Sequence, residues 1–597
     1  MIRAGLVGLC VLTCAFASHA AAPIALVTGN GRITVALDDS GGLAQFSWPG
    51  PGAAPLLGDA GARWQITTPE GTLDFSHGDW TVTQQYAAPD SLVVVTQYRE
   101  NGGGRSAEQT VAAIPDQDLL LVRLRLKGFS STTRVFWSQS FLPYNRLVPG
   151  LAGDQPAIRA MNGFAAGYDS EARLLEHWRP IAPGKAQWNR VREWVRGGTC
   201  AETGPGLYMG AATTNDIVQG TVCGDWEAWT RWAAPAPLPG AARILGSAIG
   251  IVELTPTVSD GALELALFLG ASDSRAGLRR TLAVAIQKGV AELEAAASHP
   301  GGAWGAVSPE SGGESTLLQR WCLSLLLSID PTSGAALHAP LLVGSAVYSD
   351  VFDTAWSAAA LDGMGLPDAA QRALAHHLQT VRSAQGVDTP AGSLPRKVYR
   401  DGATAFFSGN ADPESAAWLL AACWRHAALL AVPERNGFLA LHWPALSRCA
   451  DYLAREPRVG SALSGALAAD AAPLDTLRTH YLGLESSRRM AEALGEEEPG
   501  LWTDRREEIY ARLRFRKLNQ IGGGEPTTPW VDWWVLRLPG AKAESGAGWE
   551  VLKSEGAPAL NDEAIVEWAR VEGVGPGAPL ALRDALRCLL AGADGEV

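Results

Sequence analysis

The residues of this chain with chemistry to offer are carboxylates set at the starts of helices. The segment Tyr348–Leu378, YSDVFDTAWSAAALDGMGLPDAAQRALAHHL, carries Asp350 and Asp353 in a short turn. It runs straight into an Ala-rich helix that includes Trp356. The helix breaks at Gly363-Met364-Gly365 and a second one starts at Pro367, a residue suited to a first turn because that N–H has no intrahelical partner. The result is a helical hairpin with acidic groups at one end. Asp412 and Glu414 begin a helix predicted over 413–431, and Asp475 opens another over 474–495 that also carries His480. Tyr399, Arg400 and Asp401 lie in a loop between hairpins. Trp530-Val531-Asp532-Trp533-Trp534 follows three glycines. Two carboxyl groups on either side of an acetal bond suffice to hydrolyse it: one protonates the leaving oxygen, the other activates water or attacks carbon. A separation of about 6.5–9.5 Å predicts inversion, and about 5–5.5 Å predicts retention.

Each candidate has an ordinary structural alternative. Asp353 either grips a sugar, with Trp356 beside it as a further sugar-binding candidate, or caps its helix. Asp401 is either a site residue or a turn aspartate. Asp412 and Glu414 sit where the helix dipole favours acids whatever their function. Asp475 is the leading candidate for a general acid. His480 beside it is either a site residue or a satisfied structural histidine. Trp530 and Trp533 either line a sugar subsite or plug a hairpin. Glu485 is expected to face solvent or an arginine. Glu496–Glu498 and Arg505–Glu508 read as solvated charge, and His376-His377 as surface.

Two kinds of element must position these groups. Over residues 24–270, short alternating runs rich in β-branched and aromatic residues predict antiparallel strands: Arg32–Leu37, Ser91–Tyr98, Leu119–Leu126, Thr133–Gln139, Ile244–Leu254 and Ala262–Phe268. Helical crossovers are missing, so two sheets packed face to face fit better than βαβ units. A longer-looped stretch, 150–240, is rich in Trp. From Ser272 the period becomes helical, with Leu278, Leu282, Ile286, Val290 and Leu293 on one face. Helices follow at about 314–330, 354–363, 367–384, 413–431, 443–455, 474–495, 502–518, 561–571 and 578–591, with short ones in 525–555. Ten to twelve helices is the number a ring of six helical hairpins needs.

The chain has 597 residues, 47% hydrophobic and 19% charged, enough for more than one core. A net charge of −13 argues against nucleic acid and anionic membranes as partners. Of 22 Trp, most are expected to fill cores, and the rest are available to stack on sugar rings. Residues 1–22 read as a secretory signal peptide, with Arg3, an apolar stretch and Ser18-His19-Ala20 before the cut, so a periplasmic or secreted location is expected. No later segment is long and apolar enough to span a bilayer. Cys200 and Cys223 are the best candidates for a disulfide, while Cys322, Cys423, Cys449 and Cys588 read as buried thiols. No spacing of Cys or His suggests a metal, and no cofactor is implied.

Four pieces resemble the bacterial glucoamylase and glucodextranase family, glycoside hydrolase family 15, within the six-hairpin glycosidases. They are TGNGRITVALDDSGGLAQFSWP at Thr28–Pro49, FLGASDSRAGLRRTLAVAIQK at Phe268–Lys288, the stretch Arg320–Leu378 in which SIDPTSGAALHAP precedes Asp353, and Tyr399–Asp401 with Asp412-Pro413-Glu414. The resemblance implies an N-terminal antiparallel β-sandwich (a supersandwich) followed by an (α/α)6 toroid. Domains are then expected at 23–271 (sandwich), 272–312 (linker helix and loop) and 313–597 (toroid). It also implies hydrolysis of glucosidic bonds in α-glucans or related oligosaccharides. Two departures stand out. The family's Trp-x-Arg-Asp turn is here Asp350-Val351-Phe352-Asp353, which keeps Asp353 but puts Phe352 in place of Arg. A Trp-Glu-Glu motif for the general acid is absent, and the carboxylates available in that region are Glu456, Asp470 and Asp475.

The departures leave two alternatives. One is a carbohydrate-binding protein on the same fold that has lost its acid. The other is a polysaccharide lyase, to which Tyr399 with Arg396, Lys397 and Arg400, and His480-Tyr481, lend some support.

Overall fold

A computed structural model describes residues 24–141, 165–180, 206–223, 238–298, 313–337, 348–384, 390–399, 404–405, 413–455 and 474–519, apart from short breaks within these stretches. The chain divides into two compact units between His299 and Pro300.

The first unit holds two large antiparallel sheets. One runs in the order Ile24–Gly29, Thr34–Asp38, Leu43–Ser47, Leu57–Thr68, Arg134–Phe141, Ala248–Thr255, Asp216–Cys223, with Gly71–Leu73 added on Leu57–Thr68. The other runs Arg243–Leu245, Ala165–Asp169, Leu174–Pro180, Gly206–Thr213, Ala262–Ser272, Leu119–Lys127, Ser106–Ala113, Val93–Glu100, Trp80–Tyr86, with Thr257–Ser259 on Ala262–Ser272. Five of the six strands expected from the sequence are present, shifted by a few residues at their ends; the sixth, Ile244–Leu254, divides into Arg243–Leu245 in one sheet and Ala248–Thr255 in the other.

Strand Leu119–Lys127, LLLVRLRLK, shows how the pattern specifies the packing. Side chains alternate across a sheet. Leu120, Val122, Leu124 and Leu126 therefore join a core shared by both sheets, with Val35, Phe46, Trp64 and Trp137 from the facing sheet. Leu119 and Leu121 point the other way, into a second core closed by helix α1, Arg275–Ser298. Further along that outer face the leucines give way to Arg123 and Arg125, and Arg123 reaches Glu294 of α1 at 3.1 Å. Trp64 and Trp137 are register partners whose rings meet edge to face at 5.0 Å.

Helix α1 lies on the sheet through Leu278, Leu282, Ala285, Leu293 and Ala297. Ile286, expected on that face, is exposed and Ala285 takes its place. Residue 285 is seven positions from Leu278 and nearly in phase with it at 3.6 residues per turn, whereas 286 has drifted off. Gly289 then breaks the helical path with φ 77°, a conformation that costs glycine little.

The second unit contains α2 (Gly313–Ser328), α3 (Val351–Gly363), α4 (Pro367–Leu378), α5 (Pro413–Leu429), α6 (Val432–Arg455), α7 (Leu474–Leu494) and α8 (Gly500–Asn519). From α3 onward these form three consecutive hairpins. The first members pack side by side, α3 on α5 and α5 on α7, while α4 lies against α6 and α6 against α8. Helices α3 and α5 are buried nearly all round, consistent with their Ala-rich sequences. Helix α4 is amphipathic. Phe352 at the start of α3 meets Trp418 of α5 with ring centroids 5.2 Å apart. Asp362 at the end of α3 bonds His426 Nδ1 at the end of α5, at 2.8 Å. The two inner helices are thus parallel and tied at both ends. The helices expected in 525–555, 561–571 and 578–591 lie outside the described residues, so three hairpins of the expected ring are seen.

Helix α6 begins eleven residues before the expected 443. Pro444 lies inside this helix, at the cost of one backbone hydrogen bond.

Candidate functional site

The parallel inner helices bring their N-termini to one end of the second unit. At α3, a strand Tyr348–Asp350 pairs with Lys397–Tyr399, which pairs with Thr404–Ala405. Three strands this short carry no readable period, and the sequence gives no sign of them. Asp350 is the helix cap: its carboxylate accepts from the Phe352 N–H at 2.9 Å. The capping role considered for Asp353 therefore belongs to Asp350. Asp353 lies in the first turn of α3 and is 4% exposed.

His377 holds this turn from behind. Its Nε2 lies 2.8 Å from Ser349 Oγ and 3.0 Å from Thr354 Oγ1, and the two hydroxyls are 3.0 Å apart. The residue reaches from α4 to the strand before Asp350 and to the residue after Asp353. Burial pushes its pKa down to about 3, with the neighbouring His376 adding to the effect. The expected surface position of His376-His377 is therefore corrected: both are buried. The signal was in the spacing, because 370, 373, 374 and 377 share one helical face.

At α5 and α7 the contact is direct. Thr476 Oγ1 donates to Glu414 Oε1 at 2.6 Å, joining the first turns of the two helices. Asp475 is the preceding residue of α7. The structure thus gathers Asp350, Asp353, the backbone of Tyr399, Glu414, Thr476 and the helix turn of Asp475 at one end of the inner row. Ser349, Thr354, His377 and Thr476 are the members that sequence reasoning did not single out.

The remaining candidates fall in different surroundings. Trp356 is 1% exposed and sits in the helical core, so its ring faces are covered by protein. The same holds for the described tryptophans generally, which fill cores. His480 is fully buried, and neither ring nitrogen has a hydrogen-bond partner among the described residues. Burial brings its pKa down to about 3, with Arg505 reinforcing the shift. It belongs to the packed interior and not to a sugar-facing surface. Glu485 does meet the arginine partner expected of it, and is buried among three: Arg488 at 2.7 Å, Arg489 at 3.0 Å and Arg506 at 3.6 Å. These cations hold its carboxyl below the usual range although burial opposes them. Arg505 is also largely buried, pairing with Glu508, and so is not wholly solvated. Asp412, Arg400, Asp401, Trp530 and Trp533 lie outside the described residues, as does Cys200. Among the described residues no group of side chains could hold a metal, and no helix is long and apolar enough to cross a membrane.

No family model and no curated protein matches this sequence. Solved structures do match in shape. A bacterial glucoamylase complexed with acarbose superposes with a TM-score of 0.58 at 11% identity, over 83% of this chain and 67% of that one. A putative kojibiose phosphorylase from human microbiome gives 0.48 at 8%, over 82% and 66%. A family GH92 inverting mannosidase from Bacteroides thetaiotaomicron gives 0.41 at 10%, over 81% and 61%. This chain spans about two thirds or less of the length of each. At such identities the likeness is one of fold, and the glucoamylase is the match that bears on it. An antiparallel β-sandwich followed by helical hairpins is common to the two proteins.

Proposed function

We propose that this protein is an exported glycoside hydrolase that cleaves glucosidic bonds in α-glucans or related oligosaccharides. The observation that carries the reading is the meeting of Glu414 and Thr476 at the mouth of the inner helices, in the same row as Asp353. A hydroxyl that donates to a carboxylate stabilises its charged form. That suits Glu414 to activating water, with Asp475 on the next helix as the proton donor. Asp353 grips the sugar, and Tyr399, Arg400 and Asp401 border the same mouth. The fold shared with a glucoamylase that binds acarbose supports the substrate class.

A binding protein without catalysis is the second reading, and Phe352 favours it. Where the resembling family has Arg, this ring packs on Trp418 and Trp356 and offers the sugar no charge. The test is release of reducing sugar from a panel of α- and β-glucans and acidic polysaccharides, with ultraviolet absorbance of unsaturated uronic ends followed in parallel. Hydrolysis of α-glucan that falls at least a hundredfold in Glu414→Gln and Asp353→Asn, with melting temperatures unchanged, supports the proposal. Silence on every substrate together with measurable sugar binding supports the second reading. Rising absorbance indicates a lyase and refutes both.

A further inference from the structure

The outer face of the ten-stranded sheet changes character along its length. Beneath α1 it is apolar. Beyond the helix, the rows Gln97–Glu108–Arg125 and Arg99–Ser106–Lys127 stand in register on adjacent strands. Neighbouring strands lie about 4.8 Å apart, so Arg99 and Lys127 flank Ser106 at about 10 Å across the row. With Tyr98 and Ala107, these six residues line a shallow cleft of about 180 Å³. That is below the roughly 300–1,000 Å³ of sites for drug-sized ligands, and suits one ring at a time.

The charges are asymmetric. The lining itself holds three cations and one carboxylate, Glu108, in a chain whose net charge is −13. Arg125 is neutralised by Glu264 at 3.2 Å, with Asp260 at 3.9 Å, so the cationic character of the cleft rests on the other two. Arg99 and Lys127 are exposed, and neither has a salt-bridge partner among the described residues. Gln97 Nε2 sits 3.4 Å from Glu108 Oε2, leaving the other carboxylate oxygen and the Ser106 hydroxyl to accept or donate.

We propose that this cleft binds an acidic sugar residue of the uronate type, independently of the helical mouth. The sugar carboxylate lies between Arg99 and Lys127, where a guanidinium can engage it with two parallel hydrogen bonds. Its hydroxyls donate to Glu108 and exchange hydrogen bonds with Ser106 and Gln97. Glu108 argues for a sugar acid over a bare inorganic anion. A hydroxyl-bearing ligand satisfies its carboxylate, whereas sulfate has no proton to give it and is repelled. A shallow cleft gives weak binding to one unit, and several units on one polymer chain raise the avidity.

The test is titration calorimetry of the full chain with a galacturonate trisaccharide, the corresponding neutral galactose trisaccharide and sodium sulfate. The acid trisaccharide is expected to bind at least about tenfold more tightly than the neutral one, weakening as salt rises. The double variant Arg99→Ser/Lys127→Ser is expected to lose about tenfold or more in that affinity. Asp353→Asn is expected to leave it unchanged, which separates the cleft from the helical mouth. In Glu108→Gln the discrimination between the acid sugar and sulfate is expected to shrink. Three results overturn the proposal: equal binding of acid and neutral sugars, sulfate binding as tight as the trisaccharide in the unaltered protein, or acid-sugar binding that survives the double variant and disappears in Asp353→Asn.

Discussion

Replacing His377 separates its hydrogen bonds from its titration. At neutral pH the ring is uncharged and holds Ser349 and Thr354. His377→Phe removes that partner but leaves the two hydroxyls bonded to each other at 3.0 Å, so neither is orphaned. The expected loss is that of one to two neutral hydrogen bonds, about 1–2 kcal/mol. Acid changes the comparison. In the unfolded chain the imidazole takes up a proton as pH falls through about 6.5; in the folded protein it does so near 3. Between those values the unfolded state binds more protons, so stability falls with pH by up to about 1.4 kcal/mol per unit for this one group. At pH 5 the unaltered protein has therefore given up about 2 kcal/mol that His377→Phe never had to lose. The deficit of the variant should nearly vanish there. His377→Gln keeps a hydrogen-bonding group without a titration, and should lie closer to the unaltered protein at pH 7. The assay is denaturant unfolding at pH 7, 6 and 5, followed by far-ultraviolet ellipticity. Stability differences that stay constant across this range would refute the reasoning, because they would mean His377 titrates alike in both states.

Two further outcomes follow from the same unit. Asp350→Ala removes the cap of α3 and should cost about 1 kcal/mol in a thermal melt, while Asp353→Asn, which is not the cap, should cost much less. Gly392→Ala places a methyl against the carbonyl of Arg448 at a backbone φ of 85°; the left-handed conformation alone costs about 1–2 kcal/mol, so the melt should drop by more than for Asp350→Ala.

The β-sandwich was legible because its strands alternate, and Leu119–Lys127 reads on the page as it packs. The hairpins were legible because α3 and α5 are apolar runs punctuated by Gly and Pro. Failures arose where tertiary packing overrode a local signal. The helix expected from 443 starts eleven residues earlier, and α6 runs through Pro444. Trp356 stood beside an acid and looked like a sugar platform, yet neighbouring helices cover it. His376-His377 read as surface because no carboxylate stands at metal-ligand spacing, although their spacing placed them on the buried stripe of α4. Glu414 and Asp475 were legible as acids at helix starts. That Glu414 meets Thr476, 62 positions away, was not, because it depends on the parallel alignment of two inner helices that no local pattern encodes.

The Asp362–His426 bond at the far end of α3 and α5 has a mechanical consequence. Together with the Phe352–Trp418 contact near the mouth, it makes the two helices a beam fastened at each end. One turn of slippage, about 5.4 Å, would undo both fastenings at once. The distance between Asp353 and Glu414 is then a fixed gauge. Widening it would require breaking a buried polar joint at the opposite end of both helices.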